Sequence, residues 1–130
     1  MRDLGVCKMG RDVTGARFAG SAPIDVASLV RNTAGNRGLE REVLGIFREQ
    51  IGQYLTALES AADNAAAWRQ AAHTLKGAAR SIGANEVAEL AETAESGVTP
   101  AAQPRLLDEI RRAAQEARRF IDYRLLDSAH

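Results

Sequence analysis

The sequence predicts an all-α protein, an up-down antiparallel four-helix bundle with a short extra N-terminal helix. Three observations carry this. Apolar residues recur at three- and four-residue spacing through four long segments. No segment alternates apolar and polar residues as a half-buried strand would. The chain is 45% hydrophobic but only 5% aromatic, so much of its apolar content is alanine, the strongest helix former. Short connections between the segments favour antiparallel neighbours, which is the up-down arrangement.

Residues 1–22 are rich in Gly, Arg and Asp and hold no helical or strand period. Gly5, Gly10, Gly15 and Gly20 recur every five residues, a spacing expected by chance in a biased segment. This stretch is read as a flexible tail, and residues 23–130 as the bundle. Ile24, Ala27, Leu29 and Val30 then make a short amphipathic helix. Asn32 to Gly38 is loop composition. The second pattern places Leu39, Val43, Ile46, Phe47, Ile51, Tyr54, Leu55 and Leu58 on one face. A break over Ser60 to Asn64 ends it, with Asp63 or Asn64 as the next N-cap. The third pattern runs from Ala65 to about Ile82 and stops at Gly83. The fourth runs from Asn85 to Ser96, with Val87, Leu90, Ala91 and Ala94 inward, and Gly97 ends it. The fifth begins near Thr99–Pro100 or at Pro104, since proline suits a first helical turn. It carries Leu106, Ile110, Ala113, Ala117, Phe120 and Ile121 on one side, to about Leu126.

The bulk numbers exclude several classes. The 130 residues suit one domain. Lys plus Arg and Asp plus Glu number 17 each, which argues against a surface built to coat nucleic acid. The arginines of the fifth pattern are interleaved with Asp108, Glu109, Glu116 and Asp122, as in a solvated salt-bridged face. Cys7 is the single cysteine, so no intrachain disulfide can form, and a reduced cytoplasmic setting fits. No secretory signal and no apolar run of membrane-spanning length is visible.

The third pattern carries the chemistry. On a helical wheel, Trp68, Ala71, Ala72, Leu75, Ala78, Ala79 and Ile82 form the core side. Arg69, His73, Lys76, Gly77 and Arg80 fall on the opposite side. A neutral imidazole nitrogen is a competent nucleophile near neutral pH. The neighbouring cations disfavour imidazolium and would attract an anionic group. Gly77 costs the helix about 0.5–1 kcal/mol relative to alanine, and in exchange leaves bare surface one turn from the imidazole. Geometry alone reaches an exposed histidine site in a bundle. A lone exposed histidine, a basic stripe or a mid-helix glycine is ordinarily without function; here they share one face.

The segment His73-Thr74-Leu75-Lys76-Gly77-Ala78-Ala79-Arg80-Ser81-Ile82-Gly83 resembles the signature of histidine phosphotransfer (HPt) domains. That signature is His-x-Leu-Lys-Gly, two small residues, two variable ones, an aliphatic and a glycine. Every position is matched, and the resemblance extends from about Pro23 to Leu126. It implies that His73 accepts a phosphoryl group through Nε2, that Lys76 helps hold that group, and that Gly77 gives the partner clearance. It implies a relay from aspartate to histidine to aspartate in a bacterial-type two-component phosphorelay. The partners would be response-regulator receiver domains and a hybrid histidine kinase, with Mg²⁺ on the receiver and no cofactor or metal on this chain. Docking would use apolar residues around His73 plus a basic rim, with Arg69, Lys76, Arg80 and the amino-terminal part of the second pattern, near Leu39 to Phe47, as the candidates. A monomer is the usual form of such domains. Some relatives place a glutamine on the next helix near the imidazole. Here that helix offers Glu86, Glu89, Glu92 and Glu95. A carboxylate near His73 would oppose a phosphoryl group, so these glutamates are expected to point elsewhere or to be exposed.

Other readings fit less well. A kinase dimerisation helix typically has an acidic residue after its histidine and a proline beyond, but Thr74 follows His73. A phosphoacceptor domain of a larger hybrid kinase and a non-relaying receiver-binding adaptor both remain open. A di-iron bundle would need glutamate three residues before His73, where Gln70 stands.

Overall fold

The computed structural model describes residues 22–128. The tail read over residues 1–22, with its glycine spacing, lies outside the described residues except for Ala22. Among the described residues there are five helices and no strand. They are α1 (Val26–Asn32), α2 (Arg37–Ser60), α3 (Ala65–Ser81), α4 (Asn85–Glu95) and α5 (Gln103–Ser128). The four longer helices pack as a closed ring, α2 against α3, α3 against α4, α4 against α5 and α5 back against α2. The all-α bundle with a short additional helix is therefore the observed architecture. No described helix is long and apolar enough to cross a membrane.

Side-chain caps decide where three of the helices begin. Asp25 accepts from Ser28 N–H, Asn36 from Leu39 N–H and Asn64 from Ala67 N–H. Each satisfies one of the amide groups that a helix start leaves without a partner. The Asn36 cap pulls Arg37 and Gly38 into α2, so the predicted loop over residues 32–38 shrinks to 33–36. Ala34 and Gly35 turn the chain there with φ of 54° and 74°. Of the two predicted caps before α3, Asn64 is the one used. Pro104 lies in the first turn of α5, where its missing N–H costs nothing.

The core is a continuous cluster that includes Leu44, Phe47, Leu58, Trp68, Leu75, Ile82, Val87, Ile110 and Ile121. The predicted inward faces of α4 and α5 are borne out, with Leu90 and Phe120 half-buried. On α2 the face is rotated from expectation. Leu39 and Ile46 stand 40% and 47% exposed, while Leu44 and Glu40 are each 1% exposed. The physical reason is the neighbour on the far side. α2 packs on α5 as well as α3, and Arg124 of α5 reaches Glu40 with Nε–Oε2 at 2.6 Å and an η nitrogen–Oε1 at 3.2 Å. A paired carboxylate can occupy a core position that apolar spacing alone would assign to leucine. Ala71 and Ala78, predicted as core, are half-buried beside the α2–α3 clefts.

The charged face of α5 also ties helices together. Arg111 pairs with Glu59 of α2 and with Asp108, and Asp122 pairs with Arg48 of α2. These pairs are largely solvated, so each is worth about 0–1 kcal/mol.

The turn from α3 to α4 is built on Gly83, whose φ is +79°. Ala84 N–H bonds Ala79 C=O at 2.9 Å and Gly83 N–H bonds Arg80 C=O at 3.2 Å. This paired pattern closes a helix with a left-handed residue just past its end. α1 docks on the same turn, through Asp25 N–H to Gly83 C=O at 2.8 Å and Asn32 Nδ2 to Ser81 C=O at 3.1 Å. A Cβ at position 83 would lie 2.7 Å from the Asp25 carbonyl oxygen and 3.3 Å from its nitrogen. Both are backbone atoms that cannot rotate away. Gly83→Ala is therefore expected to destabilise the protein by about 2–4 kcal/mol, combining left-handed strain with overpacking. Chemical denaturation measures this; a loss below about 0.5 kcal/mol, the range of an ordinary surface change, would contradict it.

Candidate functional site

α3 presents two faces. Trp68, Ala72, Leu75 and Ala79 are buried. Arg69, His73, Gly77 and Arg80 are exposed along the other side, with Lys76 at its edge. The wheel derived from spacing therefore separates the two faces, with Ala71, Ala78 and Lys76 at their borders, because the 3.6-residue period is local geometry that packing cannot change. The His73 side chain is 61% exposed and its neighbour Lys76 only 16%.

The difference between them comes from α4. Glu95 places Oε2 at 2.8 Å from His73 Nδ1 and Oε1 at 2.5 Å from Lys76 Nζ. One carboxylate thus bridges the imidazole and the ammonium. This corrects the expectation for Glu95, while Glu86, Glu89 and Glu92 are exposed as expected. The electrostatic objection to a carboxylate fails here for two reasons. Glu95 takes the Nδ1 side of the ring, leaving Nε2 on the other side, and its charge is offset by Lys76. Glu92 likewise reaches Arg80 at 3.1 Å, while both ends stay more than half exposed. The stripe of α3 is therefore an ion-paired seam with α4 rather than a purely cationic face.

The Glu95 carboxyl is held below its usual range by the Lys76 ammonium first and by the His73 hydrogen bond second, against a smaller opposing effect of burial. An ionised carboxylate has no proton to give, so His73 Nδ1 carries the hydrogen and donates it. In the neutral ring, a hydrogen on Nδ1 places the lone pair on Nε2. The sign of the pH dependence follows. A carboxyl with a lowered folded-state pKa contributes its stabilisation above the ordinary carboxylate range and loses it only as pH falls through the lowered value. Acidifying to the ordinary carboxylate pKa is expected to leave the bridge in place. Lys76→Met is expected to raise the Glu95 titration midpoint, and by more than His73→Gln does. Carbon-13 NMR of the Glu95 carboxyl reads both; a midpoint unmoved by Lys76→Met would remove the ammonium as the main cause.

Gly77 leaves the space beyond it open, since a Cβ built there meets nothing within 4 Å. Arg69 is exposed one turn before His73. On the side of α3 away from α4, a cleft of about 430 Å³ lies between α2 and α3, lined in part by Tyr54, Ala71 and, next to His73, Gln70 and Thr74. A second cleft of about 240 Å³ continues along the same helix pair past Val43, Ile46, Phe47 and Ala78. The imidazole thus has a carboxylate on one flank and an apolar groove near the other.

Sequence reasoning missed Glu95 as a contact of His73. A weak signal was present. His73 lies ten residues before Gly83 and Glu95 twelve after it, so an antiparallel hairpin folded at Gly83 brings them to one level. Glu86 and Glu89 are too close to the turn. Choosing between Glu92 and Glu95 needs the rotation of α4, which only packing supplies.

Among the described residues the bundle displays the His73 imidazole on a helix flank, with Nδ1 held by Glu95, which defines an all-α module with an exposed histidine site. A family model described as the Hpt domain matches residues 42–120, from within α2 to within α5, and the chain belongs to the Hpt domain family. Histidine phosphotransfer in phosphorelay signalling, through interaction with receiver domains, is the business of that family. No curated protein and no solved structure matches the chain.

Proposed function

We propose that this chain relays a phosphoryl group between receiver domains, with His73 as the intermediate acceptor. A hybrid histidine kinase would supply the donor receiver and a response regulator the final aspartate. The observation that supports this most is the Glu95–His73 contact at Nδ1, which leaves Nε2 as the ring nitrogen outside that contact on an exposed side chain.

The chemistry runs as follows. Nε2 attacks the phosphorus of an aspartyl phosphate, a P–N bond forms, and the P–O bond to the aspartate carboxylate breaks. Positive charge grows on the ring because Nδ1 keeps its proton. Glu95 stabilises that charge, as a buried carboxylate does for the histidine of a hydrolase triad. Lys76 offers positive charge to the phosphoryl oxygens. The receiver supplies Mg²⁺ and its acidic site, so positioning and charge neutralisation are shared across the interface. The second receiver's aspartate then reverses these bond changes. In this reading the protein works in the cytoplasm as a monomer, and the α2–α3 clefts, with Arg69 and Arg80 at the rim, receive the partner.

The direct test mixes the protein with a phosphorylated receiver domain and Mg²⁺ and follows labelled phosphate. Acid-labile, base-stable label on this chain is the expected result. No label from any receiver tried would leave the relay without support.

Gly77 separates docking from chemistry. Gly77→Leu fits the open space and is expected to fold normally. It should slow transfer from a receiver at least tenfold while leaving phosphorylation by phosphoramidate, a small donor that needs no docking, unchanged (a steric loss of about 1.4 kcal/mol or more). Equal loss with both donors would mean that the leucine disturbs His73 and that clearance is not the role of position 77.

A further inference from the structure

The Glu95 carboxylate sits at the last residue of α4, where side-chain torsions and helix-end fraying both work against a fixed position. Something must hold that turn at one height against α3. The final carbonyls of any helix lack intrahelical partners and point past its end. Because α3 runs antiparallel to α4, the carbonyls of this last turn point toward the layer of α3 below His73. Trp68 occupies that layer, five residues before His73. Its indole Nε1 donates to the Ala94 carbonyl at 2.9 Å in a buried setting. Trp68 is 3% exposed and Ala94 0%. The same carbonyl also accepts from Gly97 N–H at 3.1 Å, in the turn that ends α4. Ala94 immediately precedes Glu95, so the backbone anchor and the carboxylate are neighbours in the chain.

We propose that Trp68 is a positioning residue for the phosphoacceptor: its indole hydrogen bond to Ala94 sets the register of α4 on α3 and so holds Glu95 on His73 Nδ1. The proposal rests on the reading of His73 as the nucleophile and extends it by one layer. A benzothiophene ring at position 68 would fill the same core space, but it could not donate to a carbonyl. The indole N–H is therefore the part that matters, and its loss need not empty the core. With the anchor gone, α4 keeps its packing against α3 but its last turn is free to slide or fray. Glu95 then spends less time on Nδ1. An imidazole without that acceptor reverts toward the Nε2–H form, which has no lone pair at the reacting nitrogen.

The test uses the full chain with Trp68→Phe and, as a second variant, incorporation of 3-benzothienylalanine at Trp68, an isostere with sulfur in place of the N–H. The isostere keeps the ring shape should phenylalanine pack poorly. Nitrogen-15 NMR of the His73 ring reads the tautomer directly, and phosphoryl acceptance from a receiver reads the consequence. Both variants are expected to shrink the Nδ1–H population and slow acceptance about fivefold, the size of effect one buried hydrogen bond produces. In a Glu95→Ala background neither substitution should shift the tautomer further, as required if Trp68 acts through Glu95. An unchanged tautomer in the isostere variant, or the same shift without Glu95, overturns the proposal. A wild-type chain that accepts no phosphoryl group overturns the relay instead, and the tautomer measurement still decides the role of Trp68.

Discussion

Replacing His73 with glutamine is expected to abolish phosphoryl acceptance while leaving the fold intact. The side chain is 61% exposed and contributes nothing to the core cluster. Surface changes of this kind usually move stability by less than about 0.5 kcal/mol. A glutamine amide can still donate to Glu95, so the α3–α4 seam keeps a hydrogen bond at this point. What disappears is the aromatic nitrogen lone pair, for which an amide nitrogen is no substitute because its electrons are delocalised into the carbonyl. Loss of label should therefore be complete and not partial. Labelled phosphate from a receiver, with circular dichroism as the fold control, makes the measurement. Label retained on the His73→Gln variant would move the chemistry to another residue and end the case for His73.

A large loss of stability is expected from Arg124→Met. Its partner Glu40 has a side chain only 2% exposed, whereas Arg124 is 24% exposed. Removing the guanidinium strands a carboxylate inside the bundle. Breaking such a pair costs about 3–5 kcal/mol. The partial exposure of Arg124 gives water some access and puts the expectation at about 3 kcal/mol. A second substitution makes the argument specific. Glu40→Leu in the Arg124→Met background removes the stranded charge and should restore most of the loss, since apolar replacement of a buried pair is often neutral or better. Urea midpoints with unchanged slopes would read both changes as stability and not as altered compactness. If Arg124→Met alone costs less than about 1 kcal/mol, the pair behaves like an exposed one and the burial of Glu40 does not matter energetically.

These two substitutions touch the molecule at different levels, and legibility in the sequence differs with them. His73 could be placed on the open face of α3 because helical periodicity carries side-chain direction along the chain. The same holds for Gly77 and Arg80, and for Gly83, whose position just past a long apolar pattern marks a helix end. Lys76 was placed correctly on the helix, but its near-burial was not legible. Glu40 was invisible, because a carboxylate inside an apolar stripe reads as a surface residue until its counterion arrives from α5. The rotation of α2 is not legible for the same reason: spacing admits two overlapping stripes, and the choice is made by what packs on each side.

The α4 glutamates show the division most clearly. Their spacing says that they sit on one exposed flank of a short helix, and nothing in it distinguishes Glu95 from Glu92. Local geometry, which depends on residues a few positions apart, determined the helices, their caps, the Gly83 turn and the outward direction of His73. The register between helices decided the rest: Glu95 on Nδ1 and Lys76, Trp68 on the Ala94 carbonyl, and Arg124 on Glu40. That register is a compromise among all the side chains interleaved across the α3–α4 and α2–α5 seams. It exists only once the faces meet, so no short stretch of chain encodes it.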